Sequence, residues 1–269
     1  MSTNGNGGEG LRVRHEGGVA WLALDRPDAL NALDWTTKQA LVAALREAAA
    51  DETVRAVAIS GRGRAFCVGE DLRELRGAYQ GGRAPELGET LERHYGPIVR
   101  LLADMPKPTV ALVNGIAAGA GASLALACDL RLASTAASFK LAFSGVGLVP
   151  DAGASWNLPR LVGLSTALRM ALLDDQVKAE EALALGLVSR VFPAEEFERL
   201  AAGTVTALAA GPTLAYARTK ALLRAGLGAD LAGALDAEAA AQRASGQTKD
   251  HLEGVSAFVE KRAPRFQGA

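Results

Sequence analysis

The run from Pro108 to Cys128, PTVALVNGIAAGAGASLALAC, carries no charged side chain and limits the fold more than any other stretch. Its length alone would permit a membrane span, which needs about 20 apolar residues. Its composition argues against one: Asn114-Gly115 breaks the run, Gly119 and Gly121 recur, and alanine outnumbers leucine. Thr109–Val113 reads instead as a buried β-strand, Asn114-Gly115 as a turn, and Ala122–Ala127 as a helix.

The join between turn and helix can carry chemistry. Gly119-Ala120-Gly121 stands where loop becomes helix, and small residues let a ligand approach the backbone. The first amides of a helix have no internal partners, and the macrodipole favours negative charge at that end. A developing oxyanion would fit there. Tight helix packing explains the same small residues, so this stretch alone leaves both readings open.

The chain has 269 residues, enough for one large domain or a core with an appendage. A formal net charge of −1 gives no sign of a nucleic-acid binder. Two cysteines, Cys67 and Cys128, make no disulfide framework, so a reducing, cytoplasmic setting is expected. Residues 1–10, MSTNGNGGEG, lack the apolar segment of a signal peptide and read as a disordered leader. His15, His94 and His251 show no metal-ligand spacing, and no metal is expected.

In chain order, Val19–Leu24 reads as a buried strand. Asp34 is placed to cap a helix over Trp35–Ala50, with Leu41 and Leu45 on one face. Val54–Ser60 is a second strand, followed by a loop over Gly61–Leu72 and then a charged turn. Gly77–Gly88 is expected to be mobile, and Glu89–Asp104 helical. Short strands at Leu130–Ala133 and Phe139–Leu141 precede a turn-rich segment over 144–163. Short helices at Ser165–Leu173 and Ala179–Leu185 and a strand at Leu187–Val191 follow. Beyond Pro193 the pattern is helical throughout: Glu195–Ala210, Pro212–Ala225, Leu231–Ser245 and Asp250–Lys261. That shift suggests a core over 11–193 and a helical region over 194–269.

Two segments share one layout of β-branched strand, small-residue loop and helix: VRAVAIS–GRGRAFCVGEDL and TVALVNG–IAAGAGASLAL. Two amides converging on one point make an oxyanion hole, each donor contributing about 3 kcal/mol in the transition state. The candidates are the backbone N–H of Glu70, after Gly69, and that of Ala120, after Gly119. The Glu70 carboxylate itself is expected to be solvated or locally capped.

RAFCVGEDL followed by NGIAAGAGASLALACDLRLAS resembles the crotonase family, the enoyl-CoA hydratase/isomerase superfamily. LDRPDALNAL near the start and EGVSAFVEKRAPRF near the end belong to the same pattern, so the resemblance runs from Leu11 to Phe266. It implies an α/β fold, a spiral of ββα units with a C-terminal helical region used in forming trimers or dimers of trimers. It further implies an acyl-CoA thioester substrate whose enolate the two amides hold. No cofactor is implied beyond the coenzyme A that the substrate carries, and neither nucleic acid nor membrane as a partner.

The family does not fix the reaction, because its acid–base residues vary. Hydratases in it resemble one another in carrying two glutamates, at positions matched here by Ser123 and Phe143, so water addition is disfavoured. The remaining carboxylate is Asp151, in GLVPDAGASWNLPRLVG. Asp after Pro before a small-residue run is also a good helix cap, and local sequence alone leaves cap and catalyst open. AFSGVGLVPDAGASWNLPR is similar to the branch that includes the ring-1,2-epoxyphenylacetyl-CoA isomerases, whose catalytic Asp falls at this position. GEDL and GASW stand where that branch suggests GQDL and GGTW. A rival branch uses this Asp to displace aryl halide, with a His matched here by Gly96 and a Trp matched by Phe143. His94, two residues away, would sit about 200° around a regular helix and face elsewhere.

The resemblance therefore implies an acyl-CoA isomerase with Asp151 as proton carrier. The alternatives are a hydratase or lyase of other acyl specificity and a noncatalytic acyl-CoA-binding member. Substrate contacts are implied for Val68, Gly69, Asp71, Leu72 and Arg73 in the first loop and for Ala118 and Gly119 in the second. Phe143 and Pro150 flank Asp151 in this reading. Arg26, Phe258 and Lys261 are placed at the coenzyme A, the last two often across a subunit boundary. A solvated surface charge is the competing reading for Arg26.

Overall fold

The computed structural model describes residues 9–80 and 86–269, together with the backbone of Thr3–Gly5. The strands are β1 (Thr3–Gly5), β2 (Leu11–Glu16), β3 (Val19–Leu24), β4 (Ala56–Gly61), β5 (Ala65–Cys67), β6 (Thr109–Val113), β7 (Ile116–Ala118), β8 (Leu130–Ser134), β9 (Ser138–Lys140), β10 (Val177–Lys178) and β11 (Arg190–Phe192). The helices are α1 (Trp35–Ala50), α2 (Leu72–Gln80), α3 (Leu87–Thr90), α4 (Gly96–Asp104), α5 (Ala120–Ala127), α6 (Ala154–Leu172) and α7 (Ala179–Ala184). The chain closes with α8 (Phe197–Ala209), α9 (Thr213–Gly226), α10 (Leu231–Gly246) and α11 (Lys249–Glu260).

The larger sheet has the order β1-β2-β3-β4-β6-β8-β11, antiparallel through β3 and parallel beyond it. The smaller sheet has the order β10-β9-β7-β5. Three times a strand of the larger sheet is followed by one of the smaller sheet and then a helix: β4-β5-α2, β6-β7-α5 and β8-β9-α6. This is the expected α/β spiral of ββα units. Parallel neighbours need crossover connections, and each unit supplies one.

The uncharged run divides into β6, β7 and α5, all nearly or fully buried. A strand buried on both faces reads as a continuous apolar run, which is why Thr109–Val113 lacks alternation. No single helix among the described residues is long and apolar enough to cross a membrane. Helix α1 begins as expected, the Asp34 side chain accepting from the Thr37 N–H at 2.8 Å. Leu41 and Leu45 of α1 lie in the core between the two sheets and the helices.

Several elements differ from the sequence reading. Thr3–Gly5, placed in a disordered leader, pairs with β2 as an edge strand; residues 1, 2 and 6–8 lie outside the described residues. Strand β5 falls inside the expected loop over 61–72, its three residues too few to show a period. The charged turn is helix α2, which keeps its polar side chains in solvent and buries no residue. Of the stretch expected to be mobile, 77–80 is helical and 81–85 lies outside the described residues. Helix α6 starts at Ala154, eleven residues before the Ser165 expected from sequence, and bends at Gly163, whose φ of 76° breaks the helical path.

Helix α8, beyond residue 193, buries Phe197, Ala201, Val205 and Ala209 against Val19, Ala58, Val110 and Leu132 on the outer face of the larger sheet. It packs as part of the core. Helix α10, by contrast, buries no residue within the chain.

Candidate active site

Strand β5 delivers the first loop. Gly69 turns the chain with φ of 88°, a conformation that favours glycine. The Leu33 N–H donates to the Gly69 carbonyl at 2.7 Å, and the Asp71 N–H donates to the Leu33 carbonyl at 3.2 Å. This parallel bridge skips the Glu70 N–H, which has no acceptor among the described residues. In the second loop Gly119, with φ of 52° and ψ of −134°, caps α5. The Ala120 N–H then lies ahead of the first helical hydrogen bond and is likewise unpaired among the described residues. Parallel pairing of β5 with β7 brings the loops side by side. A Cβ on Gly69 would lie 2.8 Å from the Ala120 nitrogen and 3.1 Å from the Ala118 carbonyl oxygen. The two free amides predicted from sequence are neighbours.

Asp151 enters from the connection between β9 and α6. Its carbonyl accepts from the Ala154 N–H at 2.9 Å. Its carboxylate accepts no hydrogen bond among the described residues, and Oδ1 is buried without a partner. The cap of α6 is Gly153, with no side-chain cap. The capping alternative for Asp151 is therefore set aside. Ala152 and Gly153 follow with φ of 47° and 79°. A left-handed alanine costs energy and persists where its surroundings enforce it, often at functional sites. Burial, and then the Glu70 charge, push the Asp151 carboxyl up to about 6.

The Glu70 side chain corrects the sequence reading, because it is neither solvated nor a local cap. Its Oε1 accepts from Lys38 Nζ at 2.6 Å and its Oε2 from the Tyr95 hydroxyl at 2.6 Å. Lys38 is only 2% exposed, which lysine tolerates when paired. Burial, then the Glu70 charge, hold the Tyr95 phenol well above its ordinary range. Burial also pushes the Cys67 thiol, at the start of the same loop, up to about 12.

His94 is a second correction. Leu91–Tyr95 is a π-helical turn between α3 and α4, so the regular period does not apply across it. His94 is 4% exposed, packs edge-on against Trp35 with ring centroids 4.2 Å apart, and leaves Nε2 buried without a partner. Burial, then Lys38, pull its proton affinity down, which keeps the ring neutral. Gly96, the position matched to a catalytic His elsewhere in the family, lies beyond that turn at the start of α4.

Ser123, fully buried, donates to the Gly119 carbonyl at 3.3 Å and is a packing residue of α5. Phe143 is buried, Pro150 and Val68 are half-buried, and Leu72 is exposed. Arg26 is engaged, donating to the Ala32 carbonyl at 2.6 Å and pairing with Asp34 at 3.2 Å and Asp71 at 2.9 Å. Asp71 also accepts from the Arg73 N–H at 3.0 Å, starting α2. These two residues brace the first loop against the start of α1. The Arg73 side chain is exposed and has no ion-pair partner among the described residues. Phe258 on α11, at 86% exposure, and Lys261 at the C-terminal cap of that helix stand in solvent. A cleft lined by Arg12, Trp21 and Phe197 contains none of these groups. The site is marked by unpaired donors and an unpaired acceptor among the described residues.

Lys38, Tyr95 and the His94 orientation escaped the sequence reading. Lys38 could have been found, since it shares a helical stripe with Leu41 and Leu45, and a lysine on a buried stripe requires a partner.

The family model described as enoyl-CoA hydratase/isomerase matches residues 14–269. The chain is 41% identical to the 1,2-epoxyphenylacetyl-CoA isomerase of Escherichia coli, over 94% of this chain and 96% of that protein. It is 42% identical to a protein of Rhodobacter capsulatus named a probable enoyl-CoA hydratase, over 96% and 98%. The crystal structure of an enoyl-CoA hydratase from Bacillus anthracis superposes with a TM-score of 0.90 at 30% identity, covering 97% of this chain and 100% of that one. Sequence, architecture and the paired loops agree: the chain belongs to the enoyl-CoA hydratase/isomerase family.

Proposed function

We propose that this enzyme is an acyl-CoA isomerase, acting on 2-(1,2-epoxy-1,2-dihydrophenyl)acetyl-CoA or on a related enoyl-CoA whose double bond it shifts. The observation that carries this reading is the Asp151 carboxylate, free of any capping bond and raised to about 6. The 41% identity to an epoxyphenylacetyl-CoA isomerase supports the same branch.

The thioester oxygen receives hydrogen bonds from the Glu70 and Ala120 amides, which acidifies the adjacent carbon. The Asp151 carboxylate removes a proton from one carbon, breaking that C–H bond, and the electron pair moves through the conjugated system onto the thioester oxygen. Asp151 returns the same proton to a second carbon, forming a new C–H bond as the carbonyl reforms. Atoms and charge balance, and no cofactor is consumed. On the epoxide, the same amides would assist ring expansion to the oxepin. Val68, Gly69, Leu72, Ala118, Gly119, Phe143 and Pro150 would line the acyl end. Arg73, with Phe258 and Lys261 of a neighbouring subunit, would meet the coenzyme A. Arg26 and Asp71 would contribute by bracing the first loop. Self-association as a trimer or dimer of trimers in the cytoplasm completes the proposal.

A hydratase is the second reading, favoured by the name of the Rhodobacter relative. Turnover of an epoxyphenylacetyl-CoA generating system, cis-3-enoyl-CoAs and crotonyl-CoA, measured side by side, separates the two. Isomerisation of either of the first two substrates, with crotonyl-CoA hydrated at least about a hundredfold more slowly, is the expected result. Preferential crotonyl-CoA hydration would overturn it.

A further inference from the structure

The two carboxylates of the site, Glu70 and Asp151, differ in how they are held. The Asp151 carboxylate has no hydrogen-bond partner among the described residues and one buried oxygen. Glu70 is fixed at both oxygens, by a lysine from α1 and by a tyrosine from the π-helical turn, each at 2.6 Å. Its backbone N–H already belongs to the oxyanion hole, so its main chain and its side chain are positioned by one loop. Two anions that share a partly buried site cannot ionise independently. The anion with partners keeps its charge, and the one without them bears the cost.

We propose that the Glu70 side chain is a positioning residue for the proton carrier, a fixed anion, clamped by Lys38 and Tyr95, that governs when Asp151 gives up its proton. The inference rests on the reading of Asp151 as that carrier.

The groups around the pair support this assignment. Lys38 from α1 neutralises Glu70 directly. Tyr95 feels both Glu70 and Asp151 and is kept protonated, so it donates to Glu70 and adds no charge. Cys67 in the first loop is likewise kept protonated, and His94 in the π turn is kept neutral. Burial acts first on Asp151, and Glu70 is the one charge that adds to it. A carboxyl raised to about 6 is ionised at neutral pH yet a stronger base than an ordinary carboxylate. Both properties suit a group that must take a proton from carbon and return it.

The test uses the full-length, substrate-free protein. Infrared difference titration with 13C-labelled aspartate, assigned through the signal lost in Asp151→Asn, reads the Asp151 carboxyl without turnover. In Glu70→Gln the amide keeps one acceptor for the clamp and removes the anion. Its Asp151 midpoint is expected to fall by at least about half a pH unit, toward the ordinary carboxylate range. The acid limb of kcat/KM should move with it, which a purely structural role would not produce. Tyr95→Phe combined with Glu70→Gln removes the anion, leaves the Lys38 cation in place and is expected to shift the midpoint in the same direction. The double variant decides the matter where the single one fails to fold. An Asp151 midpoint unchanged in the variant that folds overturns the proposal. A lowered midpoint in an enzyme whose Asp151→Asn form still isomerises at full rate upholds the coupling and overturns the proton-carrier reading instead.

Discussion

Gly121 of α5 lies so close to Cys67 that a Cβ there would stand 2.2 Å from the Cys67 carbonyl oxygen. The obstacle is backbone, which cannot swing aside as a side chain can. Through this contact the start of the helix that presents Ala120 is seated on the strand that presents Glu70.

Gly121→Ala should therefore push α5 away from the first loop and separate the two amides. A misplacement of about 1 Å in a catalytic constellation can cost about 10²-fold in rate. Overpacking of this kind typically costs 1–3 kcal/mol of stability, roughly. Steady-state kinetics with thermal unfolding on the same sample checks both, and the expected result is a folded protein with kcat reduced more than KM is raised.

Asp151→Asn should reduce isomerisation at least about a hundredfold, because an amide cannot accept and return a proton. For the wild type, the rate should fall about tenfold per pH unit below about 6, where the carboxyl becomes protonated. Stability should move too, with a definite sign. The folded-state value is raised above the unfolded one, so the stabilisation from holding this proton is complete below about pH 4 and is lost as pH rises through about 6. Asn has no such dependence. Denaturant unfolding at pH 4.5 and pH 7.5, to be run on both proteins (pH values chosen on either side of the window, roughly), should show the variant gaining on the wild type at the higher pH.

Water addition should be slow. Ser123 spends its hydroxyl on the Gly119 carbonyl, Phe143 is buried, and both Glu70 oxygens are engaged. Asp151 is then the single unengaged carboxylate among these positions, and placing and activating water calls for a pair. Ser123→Glu alone should not create a hydratase, because a carboxylate without a partner is costly at this fully buried position; a loss of folding yield with no crotonyl-CoA hydration is expected.

The last three helices should join subunits. Leu223, Leu227, Leu231 and Leu235 are all more than half exposed on α9, α10 and the turn between them. Large apolar patches of this sort usually mark an interface. Leu227→Asp with Leu231→Asp removes little intrachain burial and should lower the mass measured by light scattering from an oligomer toward the single chain. Retention of the oligomer would place the interface elsewhere.

The two paired loops were legible because their constraints are local. A glycine at positive φ, a helix start and a β-branched strand each follow from a few adjacent residues, as Gly69, Ala120 and Thr109–Val113 illustrate. Asp34 was legible as a cap for the same reason. What sequence could not supply was tertiary. The Glu70 carboxylate depends on partners 32 positions upstream and 25 downstream, brought in by α1 and the π turn. Helix α8 resembles its helical neighbours in composition, and only the apolar outer face of the larger sheet explains why it joins the core. Asp151 is an intermediate case: local sequence left cap and catalyst open, and only the missing hydrogen bonds set the cap aside.

The π turn at Leu91–Tyr95 has a consequence for how this enzyme tolerates change in length. A π turn holds one residue more than a regular turn while sweeping about the same angle, so the extra residue is absorbed without turning the segments on either side. Losing a single residue there would let the helix close into regular α geometry with those segments still in phase. The residues inside the turn would not keep their places. The Tyr95 hydroxyl on Glu70 and the buried imidazole on Trp35 both belong to the wider turn. A one-residue deletion between Leu91 and Tyr95 would thus disturb those two contacts together and spare the helix that follows, while substitutions at the same positions act one contact at a time.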